Sequence, residues 1–285
     1  MKKKVFLIAI SSKINERELD FAIERCKNMG FDSIYSDKIL NNYLGYAGSL
    51  QDRIFQVHEA FSSDADFIFL VKGGRGINHL LPYLDFKLIK KKFKPVVGYS
   101  DITILLNYIY AEFGLKTIHG PNMLKKFPEN DESLSCLINV LNGSDFALDF
   151  SEEDIIVKGR AEGEIMGGNM WLLVRSLGTP YEINVLGKIL FLEAVEKSGQ
   201  EIYDHLEQLR QAGKFDNCKA VLLGSFKDCP EADVYLKEFF KNFNIPVVMN
   251  QPFGHDVPNY AIPLGANCIV DTFKQFWQIK QNQPN

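Results

Sequence analysis

No apolar run in this 285-residue chain approaches the ~18 residues needed to cross a membrane as a helix, so a membrane partner is not expected. Cysteine is scarce. The five residues Cys26, Cys136, Cys218, Cys229 and Cys268 form no Cys-x-x-Cys pair and have no histidine at ligand spacing. That leaves no zinc signature and fits reduced thiols in a cytoplasm. Positive charge is not in excess either: 32 Lys and Arg against 36 Asp and Glu leave a formal net charge of −4. Phosphate backbones demand clustered positive charge, so nucleic acid is not an expected partner. The single basic run, Lys87-Leu-Ile-Lys-Lys-Lys-Phe-Lys94, reads as a solvated helix end. Met1-Lys-Lys-Lys4 precedes an apolar stretch at 5–10. That stretch is shorter than the ~7–15 residues of a signal-peptide core and has no small-x-small site after it, so it is read as a first buried strand. Internal repeats, low-complexity tracts, a P-loop pattern and a G-x-G-x-x-G fingerprint are also missing.

What is present is alternation. At 46% hydrophobic and 24% charged, the composition is that of a globular protein. Strand-like apolar runs at 5–10, 66–71, 95–99, 188–192, 220–223 and 246–249 are separated by helical patterns at 16–29, 49–62, 101–113, 200–212 and 232–243. Ser49-Leu-Gln-Asp52 reads as a capping box. Such alternation implies mostly parallel sheets covered by helices. Around 142–160 the pattern weakens into polar, acidic sequence. The expected fold is therefore α/β with two domains. An N-terminal open, mostly parallel sheet flanked by helices occupies 1–145, a linker 146–162, and a smaller C-terminal α/β domain with mixed strands 163–285. Short closing strands are expected at 262 and 269–270.

Ligands of open parallel sheets bind at the carboxyl ends of the strands. Ser100 in Gly98-Tyr-Ser-Asp101 stands at such an end, before a helix. Its plain role is an N-cap. Its chemical role would be a nucleophile on a sharp turn, and Gly98 supplies one half of a G-x-S-x-G elbow whose second glycine is missing. The N–H of Asp101 then sits at a helix N-terminus, where it can stabilise an oxyanion. Gly73-Gly-Arg-Gly76, at the end of another strand, can supply a second N–H.

A serine hydroxyl needs a base, and imidazole is the usual one near neutral pH. His58 and His205 fall inside helical patterns, while His79 and His119 follow strands and can line a pocket. His255 lies past the 246–249 strand, just after Gly254, in a loop held in shape by Pro252 and Pro258 on either side. It ranks first, His119 second. The acid that would hold the imidazole in one tautomer is sought at the end of the apolar run 188–192, where Glu193 closes the run and Glu196 competes.

Taken together, Gly73-Gly-Arg-Gly76, "LPYLDF", "VVGYSDIT", "IHGPN", "GEIMGGNMWLLVRSLGTPYE", "LFLEAVE" and "FGHDVPNYAIPLG" resemble, in order and spacing, the LD-carboxypeptidase family of serine peptidases. The resemblance implies a Ser–Glu–His triad of Ser100, Glu193 and His255, with oxyanion donors from the backbone of Asp101 and Gly74. It implies that the two domains meet at the site, that no metal or cofactor is used, and that the protein is a cytoplasmic homodimer. The implied substrate is a murein tetrapeptide that loses its terminal D-alanine during cell-wall recycling. Arg75 departs from the aromatic residue more usual in the loop; it is expected either to bind a substrate carboxylate or to face solvent. Gly168, Asn169 and Trp171 are expected to shape the substrate side of the cleft. The family's microcin-immunity branch, which cleaves a peptidyl-nucleotide toxin, is the alternative, and Trp171 would be its adenine clamp.

Overall fold

The structure, a computed structural model, describes residues 2–124 and 132–281, so the ends of the expected domains at 1 and 285 lie outside it. Its first sheet holds β1 (Lys4–Ile8), β2 (Asp32–Tyr35), β3 (Phe67–Leu70), β4 (Val96–Gly98) and β5 (Ile118–His119), all parallel, in the order β2-β1-β3-β4-β5. The chain then builds β6 (Phe146–Asp149), β7 (Ile155–Val157), β8 (Arg160–Asn169), β9 (Ile189–Val195), β10 (Ala220–Lys227) and β11 (Val247–Val248). Next, β12 (Ile262–Pro263) returns to the first sheet and pairs antiparallel with β5. Finally β13 (Asn267–Asp271) and β14 (Phe276–Lys280) complete a second sheet in the order β6-β14-β13-β8-β9-β10-β11-β7. Strands β8 to β11 are parallel and the flanking ones antiparallel.

The expected α/β class is what the chain adopts, with one mostly parallel and one mixed sheet. The second sheet, at eight strands against six, is the more extensive. The segment 146–162 carries β6, β7 and the start of β8, and so lies within that sheet. Its edge strands are short and only partly buried, and the polar, acidic residues fall between them in the 3-10 turn Glu152–Asp154. The central strands are continuous apolar runs because both faces are covered: every residue of β3 is buried, as are the first six of β9. Helices start where side chains satisfy their orphan N–H groups. Asn15, Ser49 and Ser198 each form a capping box, opening helices Glu16–Asn28, Leu50–Ser62 and Gly199–Gln211. The basic run closes the short helix Phe86–Lys91, a solvated helix end as expected.

One helix joins the two sheets. Thr103–Phe113 buries Thr103, Ile104, Leu105, Leu106, Asn107 and Ile109, so it is apolar almost all round. It packs against β5 of the first sheet and β8 of the second. Buried Asn107 clasps β8: its Nδ2 donates to the Gly167 carbonyl (2.7 Å), and its Oδ1 accepts from the Gly167 N–H (3.1 Å). One turn earlier, Thr103 Oγ1 accepts from the Asn169 N–H at 3.2 Å. So close an approach of the helix needs glycine, since a Cβ on Gly168 would lie 2.8 Å from the Thr103 Cγ2. Asn107→Ala leaves two buried backbone groups of β8 without partners. It is expected to lower the unfolding free energy by about 2–3 kcal/mol in urea titration, whereas Lys4→Ala, at the exposed pair with Asp64, should change it by less than about 1 kcal/mol.

Candidate active site

The turn between β4 and the joining helix places Ser100. Ser100 has φ 65°, left-handed backbone for a non-glycine residue, and opens a 3-10 turn that runs into the helix. No side chain caps either the turn or the helix, so the N-cap role is not the one Ser100 plays. Strain of this kind persists only where surrounding structure enforces it, and it turns the hydroxyl out of the helix path. The glycine loop 73–76 lies alongside, so close that a Cβ on Gly73 would be 3.3 Å from the Ser100 Cβ.

Glu193 comes from the second sheet. It is 0% exposed, on β9, in register beside Asn169 of β8. Its Oε2 lies 2.5 Å from Nδ1 of His255. Burial, the largest influence, pushes its carboxyl pKa up, but the charge and hydrogen bond of His255, the charge of His119 and the Asn169 amide together hold it below the usual carboxylate range. His255 sits in the loop that leaves the second sheet at β11 and enters the first at β12. That loop is tied at both ends of its bend. The Gly254 N–H donates to Asn259 Oδ1 (3.0 Å), and the Asn259 N–H donates to Ser133 Oγ (2.7 Å). Gly254 at φ 110° passes against Glu193, where a Cβ would stand 2.8 Å from the Glu193 Cβ. The His255 ring packs edge-on against Tyr99, with centroids 4.7 Å apart, so it contacts the residue immediately before Ser100. An acid bound to an imidazole through Nδ1 thus comes from the second sheet and its closing loop, the strained Ser100 from the first, and the imidazole reaches the latter's neighbour Tyr99.

A cavity of about 360 Å³ opens beside them, lined by Ser100, Asp101, Gly74, Arg75 and Asn169 among the residues expected at the site. Gly168, Glu193 and His255 are not in its lining; Gly168 packs against Thr103 and His119. The alternative base, His119, is fully buried, its ring against Tyr99 (6.0 Å) and Phe191 (5.1 Å). His58 accepts the Asp85 N–H at 2.9 Å. His79, His205 and Glu196 line the cavity wall. Reasoning from the sequence did not single out Tyr46, Arg175 or Lys197, which also line it. Long-range folding alone brings them there, and no local pattern marks them. Trp171 carries the Arg175 guanidinium and the Lys197 ammonium 5.4 Å from its ring, and His205 packs against it at 5.1 Å. Among the described residues no cluster of three His, Cys, Asp or Glu gathers as a metal site, and no helix is long and apolar enough to cross a membrane.

Residues 5–120 match the family model of the LD-carboxypeptidase N-terminal domain, and residues 162–270 that of the C-terminal domain. A probable murein peptide carboxypeptidase of Bacillus subtilis is 31% identical, over 94% of this chain and 88% of that protein. The murein tetrapeptide carboxypeptidase of Pseudomonas aeruginosa is 30% identical over 96% and 95%. Among solved structures, the muramoyltetrapeptide carboxypeptidase of Oxalobacter formigenes superposes with a TM-score of 0.89 over 99% of this chain and 100% of that one, at 24% identity. The microcin C7 self-immunity protein MccF bound to glutamyl sulfamoyl guanosine superposes with a TM-score of 0.90 over 100% and 97%, at 22% identity. Both likenesses speak to the fold.

The depressed Glu193 pKa has a consequence for stability. Its ionised form stabilises the folded state fully above the ordinary unfolded value of ~4.3, and that contribution is lost as pH falls through the lower folded value. In urea titrations from pH 6 to pH 3, the stability difference between wild type and Glu193→Gln should stay constant down to about pH 5. Below that it should move in favour of the variant; a pH-independent difference would show the carboxyl to be unperturbed.

Proposed function

The chain belongs to the LD-carboxypeptidase family and is a peptidase, and from that premise we propose that it removes the terminal D-alanine from murein tetrapeptides through a Ser100–His255–Glu193 triad. The observation that carries the reading is the 2.5 Å contact of Glu193 with His255 Nδ1, on a ring packed against the neighbour of Ser100. With Nδ1–H held by the carboxylate, Nε2 is left to take the serine proton. Ser100 attacks the carbonyl of the L,D bond as His255 accepts its proton. The N–H groups of Asp101 and Gly74 receive the oxyanion. His255 then protonates the departing amine of D-alanine. A water, deprotonated by the same imidazole, releases the tripeptide from the serine.

The cavity suits an anionic peptide. Arg75, Arg175 and Lys197 line it against Glu196 and the buried Asp101. Arg175 makes no ion pair among the described residues. A murein tetrapeptide brings carboxylates to such a rim. The rival reading, cleavage of a peptidyl-nucleotide, asks Trp171 to stack a base, but that ring already has two cations and His205 against it. The five cysteines, all free, suit a reducing compartment and support placing the enzyme in the cytoplasm.

Mass spectrometry of a murein tetrapeptide digest should show loss of one alanine with wild type and none with Ser100→Ala, whose melting temperature should stay within a few degrees. An unchanged tetrapeptide beside a cleaved aminoacyl sulfamoyl adenylate would transfer the assignment to the rival reading. Glu193→Gln should lower kcat by ~10³–10⁴, the effect of removing a triad acid; if Glu196→Gln does so instead, the acid is the other carboxylate.

A further inference from the structure

Resting on that reading, we propose that the side chain of Asp101, backed by the buried guanidinium of Arg53, is a positioning device that locks the glycine loop 73–76 against the serine elbow and so sets both oxyanion donors in one geometry.

The Asp101 backbone follows Ser100 and offers one N–H, and its carboxylate reaches the loop that offers the other. Oδ2 accepts from the Ser11 hydroxyl (2.7 Å) and the Ile77 N–H (2.9 Å), and Oδ1 accepts from the Gly76 N–H (3.2 Å). Ser11 follows β1, while Gly76 and Ile77 follow β3. One carboxylate therefore pins three strand ends of the first sheet together beneath the hydroxyl. Only an acceptor-only group satisfies three converging donors with two oxygens. The side chain is 3% exposed. Burial raises its pKa, opposed by those same hydrogen bonds and by the charge of Arg175.

Arg53 holds the loop from the other side. It is 3% exposed, and its Nη1 lies 3.4 Å from the Gly76 carbonyl oxygen and 3.5 Å from that of Ile10. Its guanidinium rests 4.8 Å from the Tyr46 ring centroid, and its Nε has no hydrogen-bond partner among the described residues. A guanidinium this poorly satisfied and this buried is costly for stability, which points to a task other than holding the fold. The loop itself has no room to spare. A Cβ on Gly76 would lie 2.6 Å from Arg53 Nη1, and one on Gly74 would lie 2.0 Å from Ser12 Oγ. Glycine backbone is otherwise free to wander, so a preset oxyanion site demands external bracing. The Gly74 N–H is left without a partner among the described residues, available to a ligand oxygen.

The test compares turnover of the murein tetrapeptide with affinity for a peptide boronate, which mimics the tetrahedral intermediate on the serine. In Asp101→Asn the amide must present N–H to at least one donor, so the loop should drift. Expected are a kcat lower by ~10²–10³, as for loss of one oxyanion donor, a KM within about threefold, and boronate affinity reduced by a similar factor to kcat. Tetrapeptide affinity measured on the inactive Ser100→Ala background should be the same with and without Asp101→Asn. Ser11→Ala and Arg53→Met should give smaller losses of the same pattern, and they carry the test if Asp101→Asn does not fold. A lower melting temperature with unchanged kcat and boronate affinity across these variants would make the cluster a structural brace and overturn the proposal. Turnover surviving in Ser100→Ala is a different result: it removes the triad reading on which the proposal stands.

Discussion

The grip of Thr103 and Asn107 on the tip of β8 is the constraint on which the site depends. The helix carrying these residues begins at the serine elbow of the first sheet. The strand it holds runs in register beside the strand bearing Glu193 in the second. Two buried polar side chains thereby fix the distance between a hydroxyl and a carboxylate that no single sheet contains. Hydrogen bonds buried this deeply are costly to leave unmade, so the relative placement of the two sheets is specified and not merely permitted. The loop from β11 to β12 adds the third member by physically spanning the gap, since its end becomes a strand of the first sheet. The two halves are stitched together twice, and the imidazole hangs on one of the stitches.

Electrostatics follow from this placement. A fully buried carboxylate without a partner would take up a proton. His255, His119 and Asn169 around Glu193 hold its pKa below the usual carboxylate range against the effect of burial. That carboxylate lies where water does not reach it. The cavity nearby is lined by the exposed cations Arg75 and Arg175 and the half-buried Lys197. On the proposed reading, a dry acid–imidazole pair would serve proton transfer and a wet cationic mouth substrate capture.

Much of this was legible in the sequence, and the parts that were not share a physical reason. Strands buried on both faces, such as β4 and β9, announce themselves as unbroken apolar runs, and the ends of those runs located Ser100 and Glu193. The edge strand β2 escaped notice because it is four residues long and only half-buried. Strand β8 was not expected because Gly163, Gly167 and Gly168 interrupt it; Gly168 lets the joining helix approach, and Gly167 lies against the backbone of β9. Segment 146–162 looks like a linker because its two edge strands are short and an acidic turn, Glu152–Asp154, separates them. At the site, roles that depend on a residue's own turn or strand end were readable. Those that depend on partners far along the chain were not: Asp101 receives Ser11 from 90 residues away, and Arg53 reaches Gly76 from 23.

The central claim is that a serine on one sheet is activated by an imidazole held by the other. The most direct measurement is labelling of the intact protein with a fluorophosphonate, followed by peptide mapping in wild type and in His255→Ala. The account predicts one labelled residue, Ser100, with labelling lost or slowed by orders of magnitude in the folded His255→Ala variant. Label on another serine, or equal labelling of Ser100 without the imidazole, would contradict it.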